Sequence, residues 1–139
     1  MQALDLVKYI VTKCTKDNCS ISNLQLQKIL YYIQVWFLKN TNQVAFPDEI
    51  QAWQFGPVVP EVYYYFCGFG AMPIFSTYDI QENILHKNVI DDIVTNKRAV
   101  SPWDLVEDTH DPEKAWKHVY GNGEGNYLTI SIQLLKEIG

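Results

Sequence analysis

The chain has 139 residues, with 16 acidic against 11 basic side chains, a formal charge of −5 and a pI near 5.0. A single hydrophobic core serves chains of this size, so one domain spanning residues 1–139 is expected. At 47% hydrophobic and 19% charged residues, the composition excludes disorder, which needs a polar, charge-rich chain. The few Lys and Arg argue against a basic clamp on nucleic acid. There is no apolar run long enough (~18 residues) to cross a membrane, and no basic segment leads into an apolar stretch as in a signal peptide. Cys14, Cys19 and Cys67 are an odd set without a CxxC pair. That argues against a disulfide framework or structural zinc and suits a reducing, cytoplasmic setting. Aromatic residues make up 14% of the chain, as 4 Trp, 9 Tyr and 6 Phe. This excess needs a structural explanation.

Ala3, Leu6, Val7, Ile10, Val11 and Cys14 recur at helical spacing and predict a first helix with one buried stripe. Thr15 to Ser20 is turn-like. Ser22 and Gln25 form the capping-box pattern that opens a second helix, flanked by Ile21 and Leu26 as a hydrophobic staple. This helix should run to Leu38 or Lys39. Leu26, Ile29, Leu30, Ile33, Trp36 and Phe37 share one face; Leu24, Tyr31, Val35 and Leu38 share a nearly opposite one. Gln27 and Gln34 fill one seam; Gln25, Lys28 and Lys39 fill the other. A helix apolar on two faces is central and packed on both sides, or its second face awaits a partner.

Residues 49–55 alternate as a short strand, which Gly56-Pro57 should end. Pro60 suits the first position of a third helix carrying Val62, Tyr63, Tyr64, Tyr65 and Phe66, with Gly68 or Gly70 as its stop. Residues 71–81 read as extended, with a second strand conceivable over 74–78. Residues 82–96 carry helical spacing again. Ser101-Pro102-Trp103-Asp104 reads as cap, first-turn proline and acidic third position of a helix to Thr109. Asp111-Pro112-Glu113 repeats the device for a short helix through Trp116. Gly121 to Gly125 is a turn, Tyr127 to Ile130 a strand candidate that should pair with the strand near residue 50, and Ser131 caps a last helix. The expected class is mainly α (α+β): a helical domain with a small two- or three-stranded antiparallel sheet.

Four constellations could carry function. The acidic stretch Asp104, Glu107, Asp108, Asp111 and Glu113 encloses His110 and could in principle hold a divalent metal. A helix break interrupts it, however, and first-turn carboxylates have ordinary roles at helix N-termini. A solvated acidic docking face is the better reading, with a metal-dependent hydrolase using Asp104, Asp108 and His110 as the enzymatic alternative. His86, His110 and His118 form no HExxH or Cys/His ligand pair; His110 should hydrogen-bond backbone and fix a corner. The Gly121-Asn122-Gly123-Glu124-Gly125 run follows a helix and precedes a strand, the reverse of a phosphate loop. The fourth constellation is aromatic: Tyr31, Tyr32, Trp36, Phe37, Trp53, Phe55, Tyr63, Tyr64, Tyr65 and Phe66. Their only nearby cations are Lys28 and Lys39, too few for nucleic-acid stacking. Three consecutive tyrosines on one short helix cannot all face inward, and exposed Tyr and Trp anchor protein interfaces.

Three segments together resemble one family. Leu24 to Leu38 (LQLQKILYYIQVWFL, with Gln27, Lys28, Tyr31 and Tyr32) looks like a Leu-Gln-Lys-Leu-x-Tyr-Tyr helix. Ile50 to Tyr65 (IQAWQFGPVVPEVYYY) looks like an Ala-Trp-x-x-Gly-Pro-Val segment leading to a Tyr-containing helix. Leu105 to Trp116 (LVEDTHDPEKAW) looks like Leu-x-x-x-Thr-His followed by Trp, although Ala115 stands where a proline often precedes that Trp. In this order and spacing they resemble the Panacea domain, with its SocA-like antitoxins and GepA-like phage-associated proteins, over about residues 3–138. The resemblance implies a mostly helical, non-enzymatic antitoxin-type domain that neutralises or escorts a cognate toxin. It also leaves open a phage accessory protein with another host or phage protein as partner. SocA-like members are similar to adaptors that deliver a toxin to the ClpXP protease, so protease machinery is a further implied partner; homo-oligomerisation stays open. The family supplies no catalytic residue, metal or cofactor. Gly56-Pro57 and Thr109-His110 then read as conformational punctuation. Contacts with a partner are expected at Trp53, Tyr63, Tyr64 and Tyr65 and on the acidic face of Asp104, Asp108 and Asp111.

Overall fold

A computed structural model describes residues 1–80 and 83–139. The described residues form seven α-helices and three short strands. The helices are α1 (Ala3–Lys16), α2 (Asn23–Thr41), α3 (Pro60–Tyr65), α4 (Lys87–Arg98), α5 (Pro102–Thr109), α6 (Ala115–Tyr120) and α7 (Ile132–Ile138). The strands are β1 (Ile50–Trp53), β2 (Gly56–Val58) and β3 (Thr129–Ile130). They form one antiparallel sheet in the order β2-β1-β3, with Ile50 opposite Ile130 and Trp53 opposite Gly56. None of the described helices is long and apolar enough to cross a membrane.

The centre is α2. Ser22 Oγ accepts from the Gln25 N–H at 3.2 Å and Gln25 Oε1 accepts from the Ser22 N–H at 3.0 Å, the reciprocal capping box. Helices α4, α5 and α7 and strand β2 pack around α2, so its two apolar faces are both used within the chain. Leu26, Ile29, Leu30, Tyr31, Ile33, Phe37 and Leu38 are buried along it. Helix α1 adds the predicted stripe of Ala3, Leu6, Val7, Ile10, Val11 and Cys14. The polar seam residue Gln34 is buried with its amide bonded to the Phe46 carbonyl at 2.9 Å and its carbonyl accepting from Ala45 N–H at 2.7 Å, which ties the 42–49 loop to the helix.

Four expectations need correction. Gly56-Pro57 does not end the sheet: it begins β2, and residues 54–55 make the turn. Gly56 supplies the reversal at φ +115°. Pro57 is tolerated because its missing N–H lies on the edge facing away from β1. Residues 74–78 are extended but unpaired with a strand. Their N–H groups go instead to the Ile21 carbonyl (from Ile74, 2.9 Å), Thr15 Oγ1 (from Ser76, 3.3 Å) and Thr12 Oγ1 (from Tyr78, 2.9 Å). The helix expected over 82–96 runs Lys87–Arg98 behind His86 at φ +55°, and its predicted start at Glu82 lies outside the described residues. Asp111-Pro112-Glu113 forms a turn rather than a helix start, because Asp111 Oδ1 accepts the Glu113 N–H at 3.0 Å. Helix α6 begins only at Ala115 and runs on past Trp116 to Tyr120.

Candidate functional site

The site is built on the outer edge of β2. The Pro57 carbonyl and Val59 N–H there both point toward α2, where adjacent residues meet them. Lys28 Nζ donates to Pro57 O at 3.0 Å, and Gln27 Oε1 accepts from Val59 N–H at 2.8 Å. The Gln27 amide in turn donates to Asn23 Oδ1 (3.0 Å), and Asn23 Nδ2 to the Tyr63 carbonyl (3.0 Å). Two side chains thus do the work of a fourth strand. Lys28 is fully buried, and this burial lowers its pKa to about 7.

Residues of the third sequence segment close over this edge. A Cβ on Gly56 would stand 2.8 Å from Thr109 Oγ1 and 2.9 Å from Lys28 Nζ, so only glycine fits between them. Thr109 Oγ1 donates to the Val106 carbonyl at 2.9 Å. Among the described residues, His110 makes no side-chain bond to backbone that would fix its corner. Its ring stacks on Trp116 at 3.7 Å and 4°, and its buried Nε2 has no partner among the described residues. Burial, then the charges of Lys28 and Lys117, depresses its pKa. Trp116 Nε1 donates to the Trp53 carbonyl at 2.7 Å, joining α6 to the end of β1. Tyr32 donates its hydroxyl to Asp108, with Lys97 Nζ over its ring at 4.0 Å. Burial first and Asp108 second raise the pKa of Tyr32 and of Tyr31, whose buried hydroxyl is unpartnered among the described residues.

Above this framework lies a cleft of about 470 Å³ lined by Trp53, Phe55, Tyr63, Trp103 and Tyr127, with Asn23, Gln27, Lys28, Val58 and Asn126 among its other residues. Trp53 contacts Tyr63 (5.0 Å), Tyr64 (6.0 Å) and Tyr127 (5.3 Å), and Phe55 meets Trp103 edge-to-face at 5.4 Å. Several of these rings face solvent: Tyr64 and Trp103 are each 62% exposed, Tyr127 61% and Phe55 47%. Such a cluster is out of the ordinary for side chains this large and apolar.

The predicted contact residues divide. Trp53 and Tyr63 line the cleft, and Tyr64 packs against Trp53 beside it. Tyr65 turns away, packing on Phe66 at 4.9 Å with Lys8 near its ring. Asp104 is exposed on α5, its backbone N–H bonded to Ser101 Oγ at 3.2 Å. Asp108 is engaged by Tyr32, and Asp111 by the Glu113 turn. The alternative hydrolase set of Asp104, Asp108 and His110 is not gathered. His110 faces Trp116, and no group of three or more His, Cys, Asp or Glu among the described residues could hold a metal ion. Trp103, Tyr127 and Asn126 were not foreseen as cleft residues. For Trp103 a signal existed: Leu105, Val106 and Thr109 define the buried face of α5, and at 100° per residue Trp103 falls off it.

Residues 26–117 match the sequence model of the family described as "Antitoxin SocA-like, Panacea domain". The chain belongs to this family. The matched span of the Panacea domain runs from α2 to α6 and includes the Lys28–Pro57 edge, Gly56, Thr109-His110 and Trp116. Antitoxin SocA of Caulobacter vibrioides (strain NA1000 / CB15N) is 27% identical over 153 aligned positions, covering 99% of this chain and 80% of the relative. No solved structure matches this Panacea domain.

Proposed function

We propose that the protein is an antitoxin-type module, acting without catalysis, that neutralises a cognate toxin by seating it on the aromatic cleft between β1, the 54–55 turn, α3, α5 and the 126–128 segment. One observation carries the reading: exposed rings drawn from distant parts of the chain converge on one concave face. Burying Trp and Tyr rings in a partner's pocket is the commonest source of interface energy. Membership of an antitoxin family supports a toxin as that partner.

The test is co-expression with the product of the adjacent gene. The expected result is that this product arrests growth alone, is tolerated with the wild-type chain, and co-purifies with it. Trp103→Ala or Tyr127→Ala should weaken both effects. A harmless neighbour that never co-purifies would sink the antitoxin reading. Escort to protease machinery is separated from simple occlusion by the toxin's half-life, which shortens in the presence of this chain only under escort.

A further inference from the structure

Taking the cleft as the partner-binding face, we infer that it accepts an arginine side chain from a basic segment of the partner. Three features converge on this chemistry. The walls include the rings of Trp53, Tyr63, Trp103 and Tyr127, and the negative quadrupole of an exposed ring face attracts a cation. A guanidinium also stacks on such rings as a plane, which an ammonium cannot do.

The second feature is an acceptor. Asn126 Oδ1 is buried and has no hydrogen-bond partner among the described residues, and Asn126 lines this same cleft. A desolvated acceptor is costly to leave empty. A guanidinium carries five N–H donors in a fixed fork, so it can serve Asn126, once that side chain turns its oxygen into the cleft, while lying against a ring.

The third feature is charge. Among the described residues no carboxylate lines the cleft, so no ion pair among them has to be broken. The rim supplies the negative field instead: Asp104 and Glu107 are exposed on α5 beside Trp103. Glu107, four residues after Trp103, lies on the same helix face. With a chain charge of −5, this field steers a basic segment toward the cleft. Among the described lining residues the opposing charge is Lys28, which is fully buried and bonded to the Pro57 carbonyl at 3.0 Å. Its side chain has no solvent exposure, so the guanidinium seats on the exposed rings, toward the rim. An acidic segment would meet the rim carboxylates before it reached Lys28.

The probes are short acetylated and amidated peptides, identical except for one central residue: arginine, citrulline, lysine or glutamate. Binding is followed by NMR of the indole N–H signals of the four tryptophans. The arginine peptide should shift the Trp103 and Trp53 signals and leave Trp36 in place. Citrulline keeps the shape and removes the charge, and should bind about tenfold more weakly. Lysine should fall between them, and glutamate should produce no shift. The double variant Asp104→Asn, Glu107→Gln should weaken the arginine peptide about tenfold and flatten its salt dependence. Absence of arginine binding, or equal or tighter binding of citrulline or glutamate, overturns the inference. Its failure is separable from failure of the cleft reading. Suppose the neighbouring gene's product binds wild type and the Asp104→Asn, Glu107→Gln variant equally but is lost on Trp103→Ala: the arginine is then wrong and the cleft stands. If that product still binds Trp103→Ala at full strength, the cleft itself is wrong.

Discussion

The ammonium of Lys28 donates to the carbonyl of Pro57 over 3.0 Å while none of its side chain reaches solvent. Beside it Gln27 receives the Val59 N–H at 2.8 Å. A sheet edge otherwise open to pairing with another chain is thereby closed by one turn of helix. Closing it with a lysine is expensive, since a buried cation with one acceptor among the described residues keeps little of its hydration energy.

That cost should appear as a pH dependence. Burial brings the pKa of Lys28 from its ordinary value of 10.5 down to about 7 in the folded chain. Between these values the unfolded chain holds a proton that the folded chain has lost, so stability rises with pH. The Lys28 contribution should approach about 1.4 kcal/mol per pH unit near pH 8; above that the Cys14 thiol, its pKa pushed up by burial, opposes it as unfolded cysteine ionises at about 8.5. Lys28→Met should remove the slope while leaving the Pro57 carbonyl unpaired. Urea midpoints at pH 7, 8 and 9 measure both. The window stops there because Tyr9, Tyr31 and Tyr32, whose folded pKa values are raised, oppose the trend once unfolded tyrosines ionise near pH 10.

Gly56→Ala should destabilise by at least about 2 kcal/mol, because it combines a strained backbone with a steric clash. The φ of +115° is poor for any side chain, and the new methyl would meet Thr109 Oγ1 at 2.8 Å and Lys28 Nζ at 2.9 Å. Gly123→Ala is the matched control: its φ is +117°, but nothing lies within 4 Å of the added methyl. It should cost only the strain, about 1 kcal/mol. Equal losses in chemical denaturation would show that Thr109 and Lys28 move aside freely.

These two residues also show which features local sequence can reveal. Ser22, Ser101 and Ser131 cap helices through bonds to residues three positions on, and such starts were legible because cause and effect are neighbours in the chain. Gly56-Pro57 looks like a strand terminator by the same local logic. It becomes a strand because Gln27 and Lys28, about 30 residues away, provide the edge partners that Pro57 and Val59 need. The candidate site was half legible for a related reason. Trp53, Tyr63 and Tyr64 stand close in the sequence and their crowding announced exposure. Trp103 and Tyr127 join them through tertiary packing alone. Tyr65 leaves because two residues along a helix is a turn of about 200° from Tyr63.

Trp116 should matter as a hydrogen-bond donor as well as a packed ring. Its Nε1 holds the Trp53 carbonyl at 2.7 Å, and its ring lies between His110 (3.7 Å) and Tyr120 (4.5 Å). Trp116→Phe keeps an aromatic ring but loses the donor, and should cost about 1–2 kcal/mol. Trp116→Ala loses the stack as well, and should cost about 3–5 kcal/mol. Urea unfolding of the two variants separates the terms. Indistinguishable losses would assign the whole effect to the hydrogen bond.

Trp103 is expected to behave in the opposite way. It is 62% exposed and its one ring partner among the described residues is Phe55 at 5.4 Å, so Trp103→Ala should change stability by less than about 1 kcal/mol. The same substitution should weaken partner binding by about 2 kcal/mol or more, as should Tyr127→Ala, because rings at the centre of an interface carry most of its energy. Tyr65→Ala provides the contrast. Tyr65 is 49% exposed and belongs to the same tyrosine run, yet its ring packs on Phe66 away from the cleft. Its loss should leave binding unchanged. Calorimetry of the three variants with the co-purified partner, alongside thermal melts, distinguishes a cleft from a general preference for surface tyrosine. A Tyr65→Ala deficit as large as that of Trp103→Ala would move the interface to the outer face of α3.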